Sequence, residues 1–124
     1  MKESSNLVEE KSVVFGIRIV KACRYLQNHH REHVLSKQLL RSGTAIGALI
    51  KEGEFAESKA DFIHKLSIAL KEANETKYWL LLLYESKYFS DRSYASINDD
   101  CLEIIRLLVS IIKRMKDSNG NNTK

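Results

Sequence analysis

The chain has 124 residues, a length that suits one domain and leaves no room for a second of ordinary size. Hydrophobic residues make up 44% and charged residues 29%, which excludes a disordered or collagen-like chain; the absence of Pro and a count of only 5 Gly argue against an all-β sandwich and for long helices. The formal charge of +4 is mildly basic, compatible with a nucleic-acid partner without requiring one.

Hydrophobic periodicity divides the chain into four helical segments. The first is expected over about 6–30, where Val8, Phe15, Ile19, Ala22 and Leu26 recur at helical spacing and Val13, Ile17 and Val20 widen the stripe. The polar stretch 27–33 ends it in a short turn. The second helix begins near Val34; Leu35, Leu39, Ser42, Ile46, Leu49 and Gly53 alternate spacings of four and three, a heptad seam. Gly43 and Gly47 inside it each cost about 1 kcal/mol relative to Ala, so close approach of a neighbouring helix is expected there. Ser58 followed by Asp61 resembles a capping box and starts the third helix, which continues to about Lys87 with the seam Phe62, Leu66, Ala69, Ala73, Thr76, Leu80 and Leu83. At 1.5 Å per residue this helix is about 45 Å long. Ser90 or Ser93 caps the fourth, whose seam is Tyr94, Ile97, Cys101, Ile104, Leu108, Ile111 and Met115. The pattern is that of an all-α, antiparallel up-down four-helix bundle over 1–117, with 118–124 expected to be a disordered tail.

Two further expectations concern the surroundings of the chain. Residues 1–6 are polar and the longest apolar run, 78–84, is too short to cross a bilayer, so no signal peptide and no membrane partner are expected and the protein reads as cytoplasmic. Cys23 and Cys101 are not spaced as a metal knuckle or redox pair and read as reduced, buried thiols. The run 78–84 also makes the third helix apolar on nearly all sides, and Leu102, Ile105, Val109 and Ile112 add a second stripe to the fourth. A bundle helix buries one stripe of about 100°, so the surplus calls for another subunit, with Tyr78, Trp79, Leu82 and that second stripe as the interface.

The stretch 38–83 resembles the four-helix-bundle family of 23S rRNA intervening-sequence proteins. The family's pattern is Gln-Leu-x-Arg-Ser, a Ser-Ile-x-x-Asn-Ile segment, Glu-Gly, and Ser-x-x-Asp-Phe. Gln38, Leu39, Arg41, Ser42, Ile46, Ile50, Glu52, Gly53, Ser58, Asp61 and Phe62 match it. Ala45 departs where Ser is usual, and Leu49 where Asn is usual. The resemblance implies an antiparallel bundle that assembles as a homopentamer. A related branch, the accessory proteins of diversity-generating retroelements, implies a reverse transcriptase as partner and binding of nucleic acid. Members are also labelled a ribosomal protein because their genes were first noticed inside rRNA genes. No catalytic residues come with the resemblance.

Several polar constellations stand out. Arg41, Glu52, Asp61 and Glu75 lie beside core seams, and Arg41 is placed to pair with a carboxylate of a facing helix and fix its register. Arg18, Lys21 and Arg24 form a basic band on the first helix; Arg106, Lys113, Arg114 and Lys116 form a basic end on the fourth. Both suit phosphate contact, and five copies would carry a formal charge of about +20. His29, His30 and His33 cluster with Glu32 at the first turn, a place where His also suits the helix C-terminal dipole, so no metal and no cofactor are expected. Arg24 and His29 match the loose Arg-to-His spacing of a small helical ribonuclease motif, but five residues apart is not one helical face unless the helix ends between them. The reading is a non-enzymatic oligomeric bundle that binds RNA or DNA. The alternatives are a purely structural or partner-binding bundle, and a weak ribonuclease using Arg24 and His29.

Overall fold

The computed structural model describes residues 2–122, the side chains of 2–4 and 119–122 excepted. Four helices follow one another: α1 (Lys2–His30), α2 (Leu35–Glu54), α3 (Lys59–Glu85) and α4 (Asp91–Asn122). Each packs on its neighbours in the ring α1–α2–α3–α4–α1. Short turns impose the antiparallel order: Lys11 pairs with Glu103 and Arg18 with Asp100, so α4 descends as α1 rises.

The heptad seams point inward as the spacing predicts. Phe15, Ile19 and Leu26 of α1, Leu39 and Ile46 of α2, Leu66, Leu80 and Leu83 of α3, and Ile104, Leu108 and Ile111 of α4 are fully buried. Each such side chain contributes about 1.5–3 kcal/mol relative to exposure. On α2 the deeper position near the C-terminal end is Ile50; Leu49 packs on the core only in part. Cys23 and Cys101 are free and buried, their thiols donating to Ser36 O and Ala73 O. Burial pushes the two thiols up to about 11 and about 12, which leaves them unreactive.

The glycines of α2 mark its closest approach to α1. A Cβ on Gly43 would lie 2.8 Å from Ile19 Cγ2, and one on Gly47 would lie 3.2 Å from Ser12 Oγ. The buried hydroxyl of Thr76 sits 2.9 Å from that of Ser42 and 2.8 Å from the Glu72 carbonyl, so a polar pair joins α2 to α3 inside the core without an orphaned group.

The helix ends are where expectation and structure part. Val34 offers no side-chain cap to α2; instead Glu32 reaches forward and accepts from the amides of Ser36 (2.7 Å), Leu35 (3.1 Å) and Val34 (3.3 Å). Burial opposes the charge on Glu32, but these three amides outweigh it and hold the carboxyl below its usual range. Ser58 caps α3, accepting from Asp61 N at 3.0 Å, while the Asp61 carboxylate accepts from Glu57 N. Helix α3 stops at Glu85, short of Lys87, because Lys87 adopts a left-handed conformation (φ 72°): the amides of Tyr88 and Lys87 turn back to the carbonyls of Leu83 and Tyr84, closing the helix. Ser90, not Ser93, caps α4, accepting from Ser93 N at 3.1 Å.

Two other expectations shift. Helix α1 starts at Lys2, before residue 6. Helix α4 continues to Asn122, into the segment expected as a disordered tail; extending a formed helix adds a backbone bond per residue without a new nucleation cost. Residues 123 and 124 lie outside the described ones.

Candidate nucleic-acid interface

The bundle separates the two basic groups read from the sequence. Arg18 packs beside Asp100 and Ser96 of α4, so Lys113 lies some thirteen residues further along that helix, about 20 Å away. Arg18 is committed to this brace: its guanidinium pairs with Asp100 at 2.6 Å and donates to Ser96 O and Oγ. Arg106 is exposed midway along α4. Lys113 and Lys116 flank a groove with Leu70, Val109, Ile112 and Asp117, and Arg114 donates to Ser110 O at 3.4 Å. That end of the bundle also carries acids, with Lys51 paired to Glu9 and Glu54 and Lys65 paired to Glu52. Its field is mixed.

The opposite end is different. There the end of α1 and the first turn of α2 meet the α3–α4 turn. Lys21, Arg24, Arg31 and Lys37 from the first side and Lys87 and Arg92 from the second outnumber Glu32, Glu85 and Asp91. None of these six cations forms an ion pair among the described residues. Glu32 faces the positive end of α2, and Asp91 accepts from Tyr84 Oη at 2.6 Å. Arg31 and Lys87 hold left-handed backbone (φ 55° and 72°), a conformation that glycine adopts without penalty.

Aromatic rings interleave with these charges. Tyr25 stacks on His29 with ring centres 4.9 Å apart, and His30 meets both Tyr25 and Tyr88 edge-on at 5.1 and 5.3 Å. Tyr25 Oη and His30 Nε2 are 3.0 Å apart. Tyr84 and Tyr94 stack at 4.2 Å and fix the α3–α4 turn. Sequence reading named Lys21 and Arg24 but missed Arg31, Lys87 and the rings, because only the fold brings residues near 25–31 beside residues 84–94. Helix α1 runs unbroken through His30, so Arg24 and His29 project about 140° apart and do not converge. Among the described residues no three His, Cys, Asp or Glu side chains gather where a metal ion could be held.

The residues beside the seams are structural in their contacts. Arg41 bridges α2 to α3 through Glu75 and through Glu72 at 3.2 Å, with half of its side chain exposed. Trp79 Nε1 donates to Glu75, and with Arg41 it holds that carboxyl below the usual range. The expected subunit surface is largely absorbed within one chain: Trp79, Leu82, Leu102 and Ile105 are partly buried, Ile112 is buried, and only Tyr78 and Val109 stay well exposed. The larger uncovered apolar face is on α1. Val13 (57% exposed), Val14 (58%) and Ile17 (50%) point outward with Leu7, so Val13 and Ile17 do not widen the core stripe. Their row is turned by more than 100° from Phe15 and Ile19, too far round the helix to reach the core.

The architecture defines the class: a small all-α bundle of four helices in up-down order. Within that class the chain belongs to the 23S rRNA-intervening sequence protein family, whose model matches residues 4–110. A solved structure from Bacteroides thetaiotaomicron VPI-5482, of a protein with unknown function from the S23 ribosomal protein family, superposes with a TM-score of 0.88. It is 56% identical, over 89% of this chain and 98% of that one. No curated protein matches the chain. No helix among the described residues is long and apolar enough to cross a membrane.

Proposed function

We propose that the protein is a non-enzymatic, cytoplasmic helical scaffold that assembles with copies of itself and holds RNA or DNA on its basic surface. The observation that carries this reading is the charge at the turn end: Lys21, Arg24, Arg31 and Lys87 have no carboxylate partner among the described residues, and a phosphate backbone supplies one. The family's tie to rRNA genes, and the ribosomal label of its structural neighbour, agree with such a partner. Self-assembly rests on the outward face of α1, where three adjacent aliphatic side chains stand half exposed. A ring of five, as the family resemblance implies, would repeat the basic end around one axis and multiply its field.

Binding of labelled oligonucleotides at low salt tests this. The triple variant Lys21→Gln, Arg24→Gln, Lys87→Gln is expected to weaken binding and to lower the slope of log affinity against log salt by roughly 0.7–0.9 for each phosphate it no longer neutralises. The double variant Lys113→Gln, Lys116→Gln is expected to change it little. A wild-type protein that binds neither RNA nor DNA at low salt would leave only a structural bundle. RNA cleavage abolished by His29→Ala would make it an enzyme.

A further inference from the structure

Between α1 and the α3–α4 turn lies a groove of about 520 Å³, within the size range of small-ligand sites. Three aromatic residues, Tyr25, Tyr88 and Phe89, line it together with Lys21, Ser93 and Ile97. Tyr88 and Phe89 are partly buried and rest on the core, so they form a firm floor. Tyr25 is different: His29 stacks on it, yet 42% of its surface remains open. Lys21, one turn before it on α1, has no ion-pair or hydrogen-bond partner among the described residues. Arg18 closes the wall, its charge answered by Asp100.

We propose that this groove receives an unpaired nucleobase of a single-stranded nucleic acid, stacked on Tyr25 against the Tyr88–Phe89 floor, with Lys21 on the adjoining phosphate. The inference rests on the function proposed above and sharpens it: the protein prefers single strands to duplexes. Charge alone gives no such preference, since a duplex is the denser array of phosphates. A partly exposed aromatic ring beside a free cation does, because every unpaired base presents a π-surface while a paired base hides it in the helix. The serine hydroxyl at the rim offers a donor and an acceptor to a base edge without selecting one base. The sugar can be ribose or deoxyribose, so both kinds of strand are measured.

The test compares three ligands on the wild-type protein at one low salt concentration: a single strand of mixed sequence, its duplex, and an abasic strand of the same length that keeps every phosphate. The mixed strand is expected to bind about 5- to 150-fold more tightly than the abasic strand, the span of one stacked base. Tyr25→Leu, which keeps apolar bulk but removes the ring, should erase most of that difference and leave abasic binding unchanged. Tyr25→Trp should restore it. If wild type binds the mixed and abasic strands equally, the stacking site is refuted while the basic surface stands. If it binds none of the three, both fall. Should Tyr25→Leu melt early, the wild-type comparison of mixed and abasic strands decides alone.

Discussion

Two glycines inside helices meet opposite surroundings, and that difference sets the sign of the same substitution. A Cβ at Gly43 would press into Ile19, which is fully buried and has no room to yield, whereas nothing lies within 4 Å of a Cβ at Gly16. Gly43→Ala should therefore lower stability by roughly 1–3 kcal/mol of overpacking, less the helix-propensity gain of about 1 kcal/mol. Gly16→Ala should raise it by about 0.5–1 kcal/mol. Denaturant midpoints of the two variants check both signs. Glu32 makes a second residue-scale case. Its pKa is lowered in the folded state, so its contribution is fully present above its unfolded value near 4.5 and is lost as pH falls through the folded value. Glu32→Ala should cost about 0.5–2 kcal/mol at neutral pH, the value of a helix cap, and the gap from wild type should close on acidification. A gap that does not depend on pH would mean that Glu32 acts by packing and not by charge.

At the scale of elements, the seams of α2, α3 and α4 were legible because one heptad rule places every third or fourth residue inward. Ser58 and Asp61 announced the start of α3 in the same local way. Val13 and Ile17 do not widen the core stripe of α1: they are as apolar as core residues but lie on nearly the opposite side of the helix from Phe15 and Ile19, so apolar character alone misplaces them. The Glu32 cap was hidden because it lies two residues ahead of the helix-flanking Val34, outside the usual cap pattern. The basic aromatic end was illegible in principle: Tyr25 and Tyr88 are 63 positions apart, and their meeting through His30 is a product of topology. The turns at that end suggest a trade between stability and binding. Left-handed backbone costs a non-glycine residue about 1–2 kcal/mol, yet Arg31 and Lys87 occupy it. Lys87→Gly should raise the melting midpoint and at the same time weaken oligonucleotide binding. If stability rises with binding untouched, the lysine is not part of the interface.

For the whole molecule, packing around the ring of four helices leaves two surfaces unexplained by folding alone: the aliphatic face of α1 and the cationic, aromatic turn end. The first gives way to the second along α1, where Ile17 stands one turn before Lys21, and an oligomer would present several copies of the binding end at once. Sedimentation of the wild-type protein with a labelled single strand, run at low and then at high salt, tests that arrangement in one experiment. A species of several chains is expected that carries the strand at low salt, releases it at high salt, and stays assembled throughout, since apolar contacts are not screened. A 14.3 kDa monomer that leaves the strand free at low salt would contradict it.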